Sequence, residues 1–232
     1  MKRQLVDYRG FRLSRLNEPR FSHVKLLWGW IAYFAMYVLT ERLIPAESCH
    51  LVHCALDDAI PFCEYFAVFY VGWYAFVFFS LLYYFLFDTD CFRGLQKFII
   101  VTQLGAMLCY ILFPSRQDLR PLFFERDNLF TQTMALIYRI DTPTGVCPSL
   151  HAAYAIAISS GVLKDPRARR GVKLGVVLFT VGVCASVCFV KQHSALDVLA
   201  ALPLCLLAEL VAYGKSWWLP RLRRAKAGKK SA

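Results

Sequence analysis

The sequence predicts an all-α fold, a polytopic membrane helical bundle with six transmembrane helices. Three observations carry that prediction. Of the 232 residues, 58% are hydrophobic and 19% charged, with mean hydropathy +0.45. That is more apolar and less charged than a soluble domain of this length. Six apolar stretches approach the roughly 20 residues a helix needs to cross a bilayer. The cationic residues fall in alternate connections between these stretches.

The six stretches are 26–44, 65–87, 98–113, 147–163, 173–190 and 195–213. The first, third and fourth are the weakest, being short or carrying a charge such as Glu41. Six such runs in a soluble core would leave little polar sequence to wrap them. Lys and Arg number seven up to Lys25, two in 88–97, five in 164–173 and seven from Lys215 onward, together 21 of 27. The alternate connections hold Arg42, four cations across 114–147, and Lys191. This alternation follows the positive-inside rule. It puts both termini in the cytoplasm and the loops 45–62, 114–147 and 190–195 outside. A net charge of +11 distributed this way points to a membrane surface and not to a nucleic-acid partner.

The predicted organisation is a basic cytoplasmic segment 1–25, one six-helix domain 26–213 and a basic cytoplasmic tail 214–232. The first apolar run has no small-residue cleavage site after it and reads as a retained signal anchor. Trp217 and Trp218 beside "LPRLRRAKAGKK" suit an anchor on anionic lipid, and a solvated tail fits equally well. The nine cysteines form no CxxC pair and no zinc spacing. No metal or cofactor is expected. Cys49, Cys54, Cys63 and Cys147 fall on the outer side, where a disulfide is possible. Oligomeric state is not readable.

Three polar clusters break the apolar pattern: "FPSRQDLRPLF" at 113–123, "CPSLHAA" at 147–153 and "KQHSALDVLA" at 191–200. Charge counting alone puts all three on one membrane face. Ionisable groups at membrane depth are hypotheses about function. In the third cluster, His193 and Asp197 are four apart and share a helical face. A carboxylate on one ring nitrogen fixes the tautomer and frees the other nitrogen for attack or proton transfer. A polar pair holding two helices together is the plainer alternative. In the second, Pro148 suits the first turn of a helix. Ser149, the following N–H groups and His151 then face an anion site, or simply cap a helix. In the first, Arg116 and Arg120 offer guanidinium groups to phosphate, or snorkel to lipid head groups. Together with Lys191 the inventory describes a phosphate site with two histidines.

These clusters resemble the tripartite signature of the type 2 phosphatidic acid phosphatase superfamily of integral membrane enzymes. Arg120-Pro121 matches its first element. Pro148 to His151 matches Pro-Ser-Gly-His, with Leu150 in place of Gly. Ser186, His193 and Asp197 match the third element in spacing. The motif Lys falls at Phe113 and the motif Arg at Val187, so Arg116 and Lys191 are candidates to replace them. "PSLH" and "KQHSALD" are most similar to the branch that includes inositol phosphorylceramide and sphingomyelin synthases. The resemblance implies that His193 attacks phosphorus and that Asp197 orients it. It implies that His151 protonates the leaving alkoxide and then activates water or an alcohol. Arg120 and Ser149 would hold phosphate oxygens. The residues alone do not choose the nucleophile between the histidines. The expected activity is a metal-independent lipid-phosphate phosphatase at the outer face. A lipid phosphotransferase of the same fold is the alternative. A non-enzymatic transporter or channel, or an inactive scaffold, is a further one. Asp57, Asp58 and Glu64 read as loop solvation, and 124–140 as an amphipathic helix lidding the site.

Overall fold

The computed structural model describes residues 4–228. It is mostly helical, at 72%, and all six apolar stretches form helices. In chain order the helices are α1 Trp28–Leu43, α2 Ala55–Ala59, α3 Ala67–Phe87, α4 Thr89–Leu112 and α5 Leu129–Ile140. They continue with α6 Leu150–Lys164, α7 Arg170–Phe189, α8 Ala195–Tyr213 and α9 Leu219–Gly228. Two two-residue strands, β1 His50–Leu51 and β2 Ser115–Arg116, pair in parallel and tie two loops together.

Among the described residues, four helices are long and apolar enough to cross a membrane: Glu64–Phe87, Thr89–Leu112, Arg170–Phe189 and Ala195–Ala225. The expectation of six divides there. α1 has 16 residues and α6 has 15. At ~1.5 Å per residue they reach ~24 and ~22 Å, short of a ~30 Å hydrocarbon core. For α6 packing gives the reason. It lies among α4, α7 and α8, and Ala152, Ala153, Ala155 and Ala157 are fully buried. Small side chains let neighbouring backbones close in, and a helix so enclosed need not match the lipid thickness.

The third stretch is longer than the sequence suggests. α4 starts at Thr89 because Asp88 caps it, its carboxylate accepting the Cys91 N–H at 3.1 Å. The polar run 88–97 thus belongs to a helix and not to a loop. α4 is central, with α1, α3, α6 and α8 packed around it. Leu95, Phe98, Ile99, Ala106 and Met107 fill the core. Gly105 permits close approach to α8, where a Cβ would overlap Leu204.

The described residues before α1 pack on the bundle. Tyr8 donates to the Phe85 carbonyl at 2.6 Å and meets His23 at 2.9 Å. Phe21 and His23 are fully buried. α8 ends at Tyr213, after which a short π turn leads into α9. Arg221 lies over the Trp217 ring.

Candidate active site

The three polar clusters meet at one end of the bundle, where α3, α6 and α8 begin and α1, α4 and α7 end. The chain between α7 and α8 turns tightly. The Val187 carbonyl accepts the N–H of both Gln192 and His193, at 2.9 and 3.0 Å. Lys191 takes the left-handed conformation, with φ 51°, a departure that non-glycine residues sustain mainly where surrounding structure fixes them. Ser194 caps α8, and its backbone N–H donates back to Asp197 Oδ2 at 3.0 Å. This reciprocal cap fixes the same carboxylate oxygen that lies 3.1 Å from His193 Nδ1.

His151 lies in the first turn of α6. Its Nδ1 is 3.3 Å from His193 Nε2. With Asp197 accepting from His193 Nδ1, Nε2 of His193 is an acceptor and His151 Nδ1 donates to it. That leaves His151 Nε2 as a buried nitrogen without a partner. The ring stacks on Tyr70 with centroids 4.7 Å apart and lies 4.3 Å from Trp73. Trp73 Nε1 also donates to the His151 carbonyl at 3.0 Å.

Ser149, and not Pro148, starts α6: it is the N-cap, its hydroxyl accepting the Ala152 N–H at 3.4 Å. Pro148 therefore precedes the helix and does not occupy its first turn. The Ser149 N–H donates to the Asp197 carbonyl at 3.0 Å. The beginnings of α6 and α8 are thereby joined at the backbone.

The expected phosphate cations are placed differently from the histidines. Arg120 spends all five N–H donors on the protein. They go to Gln192 Oε1 twice and to the carbonyls of Tyr138, Asp141 and Thr142. Lys191 donates to the carbonyls of Asp57 and Ile60, at 2.7 and 2.5 Å. Arg116 lies on β2, with its Nε buried and unpartnered, and makes no hydrogen bond to either histidine. At the two motif departures, Phe113 stacks on His50 at 4.3 Å, and Val187 is buried with its carbonyl holding the His193 turn.

Several residues that sequence reasoning passed over complete the site. Asp57 is buried under the turn, where it accepts from Ser194 Oγ at 2.5 Å and from the N–H groups of Ala195 and Cys54 at 2.8 and 2.9 Å. Burial raises its pKa, but these hydrogen bonds outweigh burial and hold it below the ordinary carboxylate value. Asp141 accepts from Gln192 at 3.4 Å. Burial pushes its pKa up, against the opposing pull of Arg120. The signal for Asp57 was its position in an acidic loop, which solvation explains equally well. Asp141 and Gln192 had only proximity to the motifs. Glu64, also read as loop solvation, is buried and bound by Arg126 at 3.1 Å and Asn128 at 3.2 Å. The segment 124–140 forms α5 from Leu129 onward, capped by Asn128. Tyr138 on α5 donates to the Val190 carbonyl at 2.6 Å. Cys49, Cys54, Cys63 and Cys147 are free thiols.

His151, His193, Gln192 and Asp141 line one end of a cavity of about 630 Å³ that continues between α1 and α3. Among the described residues, no group of three or more His, Cys, Asp or Glu is placed to hold a metal ion. Comparison with family models, characterised proteins and solved structures returned no match. Fold and site together define a helical protein of the membrane class, with a histidine pair and its carboxylate at the mouth of the bundle.

Proposed function

We propose that the protein is a lipid-phosphate phosphatase acting through a phosphohistidine at the outer membrane face. In the proposed topology α1, α3, α4, α6, α7 and α8 all cross the membrane, α1 and α6 as the two short helices, and both termini are cytoplasmic. One observation carries the proposal: His193 Nε2 faces His151 Nδ1 at 3.3 Å while Asp197 holds the other His193 nitrogen at 3.1 Å. A nucleophile needs an oriented, unprotonated nitrogen, and phosphoryl transfer needs an acid opposite it. The imidazoles move apart to admit phosphorus between them. His193 Nε2 forms the N–P bond as the P–O bond to the lipid breaks. Protonated His151 gives its proton to the leaving alkoxide, releasing the lipid alcohol. His151 then takes a proton from water, which attacks phosphorus, and inorganic phosphate leaves with His193 restored. The N–H groups opening α6 face the equatorial oxygens. Arg120 supplies charge only if it exchanges a protein acceptor for phosphate.

A second acceptor deserves separate treatment because of the aromatic wall of Tyr70 and Trp73 beside His151. Such a wall limits water and favours attack by a lipid alcohol, which makes the enzyme a phosphotransferase. The test is turnover of a panel of labelled lipid phosphates by purified protein with chelator present. His193→Ala and His151→Ala should each lower turnover at least ~10³-fold. Wild type should yield a trapped phosphoprotein that His193→Ala lacks. Free phosphate as product indicates hydrolysis, and a new phospholipid indicates transfer. Turnover unaffected by either substitution overturns the proposal.

A further inference from the structure

We infer that the cleft between α1 and α3 is a binding site for one extended hydrocarbon chain of a phosphate-bearing lipid, running from the histidine pair past the bilayer midplane. This rests on the proposed function for the identity of the head group only. The cleft itself follows from packing. α1 and α3 both pack on α4, and the space between them is the 630 Å³ cavity that ends at His151 and His193. Its carboxylate, carboxamide and imidazole groups are confined to that end, where Asp141, Thr142 and Gln192 join the histidines; farther in, the polar atoms are those of aromatic side chains such as Tyr33, Tyr154 and Trp30. Toward the opposite end the walls are Val77, Phe78, Leu81 and Phe85 from α3, facing Trp30 and Phe34 from α1. A ligand that matches this division has one polar end and one apolar end.

The depth of the cleft specifies the apolar part. The α3 wall runs from Trp73 to Phe85, which at ~1.5 Å per residue is ~18 Å. Half of a ~30 Å hydrocarbon core is ~15 Å. The cleft is therefore deeper than one leaflet, and its floor, at Leu27 and Phe92, lies where α1 and α4 begin. The side facing lipid is open: Phe34 is 56% and Phe78 60% exposed. A chain can enter sideways without its phosphate leaving the head-group level. Short-chain phosphates leave the lower half of the cleft unfilled.

The test uses hexadecyl phosphate carrying a photoreactive diazirine at the chain end, with the full protein in lipid nanodiscs. Mass spectrometry should find the label at Leu27, Phe85 or Phe92. Hexadecanol with the same diazirine should label these positions at least tenfold less. Label spread over the lipid-facing side of α7, at Val172 or Leu178, overturns the inference. Equal labelling by the alcohol overturns it too, since the cleft would then hold bulk lipid. Leu81→Trp, at a half-buried position, provides the kinetic counterpart. It should lower turnover of hexadecyl phosphate at least tenfold more than that of octyl phosphate; equal effects on both chains count against the site. Labelling at the floor without turnover of any lipid phosphate retires the phosphatase and keeps the cleft. Turnover with no label in the cleft does the reverse.

Discussion

Each end of the bundle buries a carboxylate beside a basic side chain, and the two pairs are built differently. At the end opposite the histidines Lys164 and Glu209 lie 2.6 Å apart. Glu209 also accepts from Ser160 at 2.5 Å and from Trp218 at 2.6 Å. Lys164 donates to Ser160 and lies over the Tyr213 ring, 4.5 Å from its centre. That pair closes on itself. At the histidine end the chain Asp197–His193–His151 stops at a buried nitrogen with no partner, and both imidazoles line a cavity. An unsatisfied buried polar atom costs about 1–3 kcal/mol. At the histidine end that atom stands beside a cavity where a ligand could satisfy it, whereas the Lys164–Glu209 carboxylate and ammonium already satisfy each other, although the nearby Tyr213 hydroxyl is itself unpartnered.

The largest effect expected from this contrast is at Asp197. Asp197→Asn keeps the shape and leaves an oxygen to cap Ser194, but it no longer enforces the His193 tautomer. Turnover should fall about 10³-fold or more with little change in melting temperature. A drop in stability matching the drop in rate would make the His193–Asp197 pair structural like the Lys164–Glu209 pair. Lys164→Met should behave in the opposite way. It strands the Glu209 carboxylate with two neutral donors and should cost about 3 kcal/mol of stability, with turnover unchanged at permissive temperature. The double variant Lys164→Met with Glu209→Gln should recover most of that loss. Loss of turnover in the Lys164 and Glu209 variants would show that the two ends are coupled.

The sequence carried much of the histidine site. Hydropathy located every long helix. The spacing of four suggested one helical face for His193 and Asp197; they do meet at 3.1 Å, but across the turn before α8, since His193 precedes the Ser194 cap. Helix ends were harder. Polarity hid the start of α4 at Thr89, because a capped first turn can be as polar as a loop. Partner choice was hardest. Arg120 was chosen for its chemistry, but a guanidinium forms hydrogen bonds with whatever oxygens the fold brings near. Here those are three carbonyls and Gln192. Lys191 likewise ends on two carbonyls. Neither outcome is encoded in local spacing, since the acceptors come from segments about 20 to more than 130 residues away.

Asp57 gives the smallest effect, and it separates holding the site from performing its chemistry. Asp57→Ala removes the acceptor of the Ser194 hydroxyl and of the Ala195 and Cys54 N–H groups. Leaving these buried donors unpaired should cost about 2 kcal/mol. Because the carboxylate stands below its ordinary pKa of 3.8 in the fold, its contribution is fully present above that pH. It is lost as pH falls through the lower folded value. The melting temperatures of wild type and Asp57→Asn should therefore differ at neutral pH and converge in acid. Asp57 does not touch the reacting atoms, so the maximal rate should fall about tenfold, with the Michaelis constant steady and the Asp57→Asn rate between wild type and Ala. Curves that stay parallel down to acid pH would remove the carboxylate charge from the account. The left-handed turn at Lys191 would then hold His193 in place by itself.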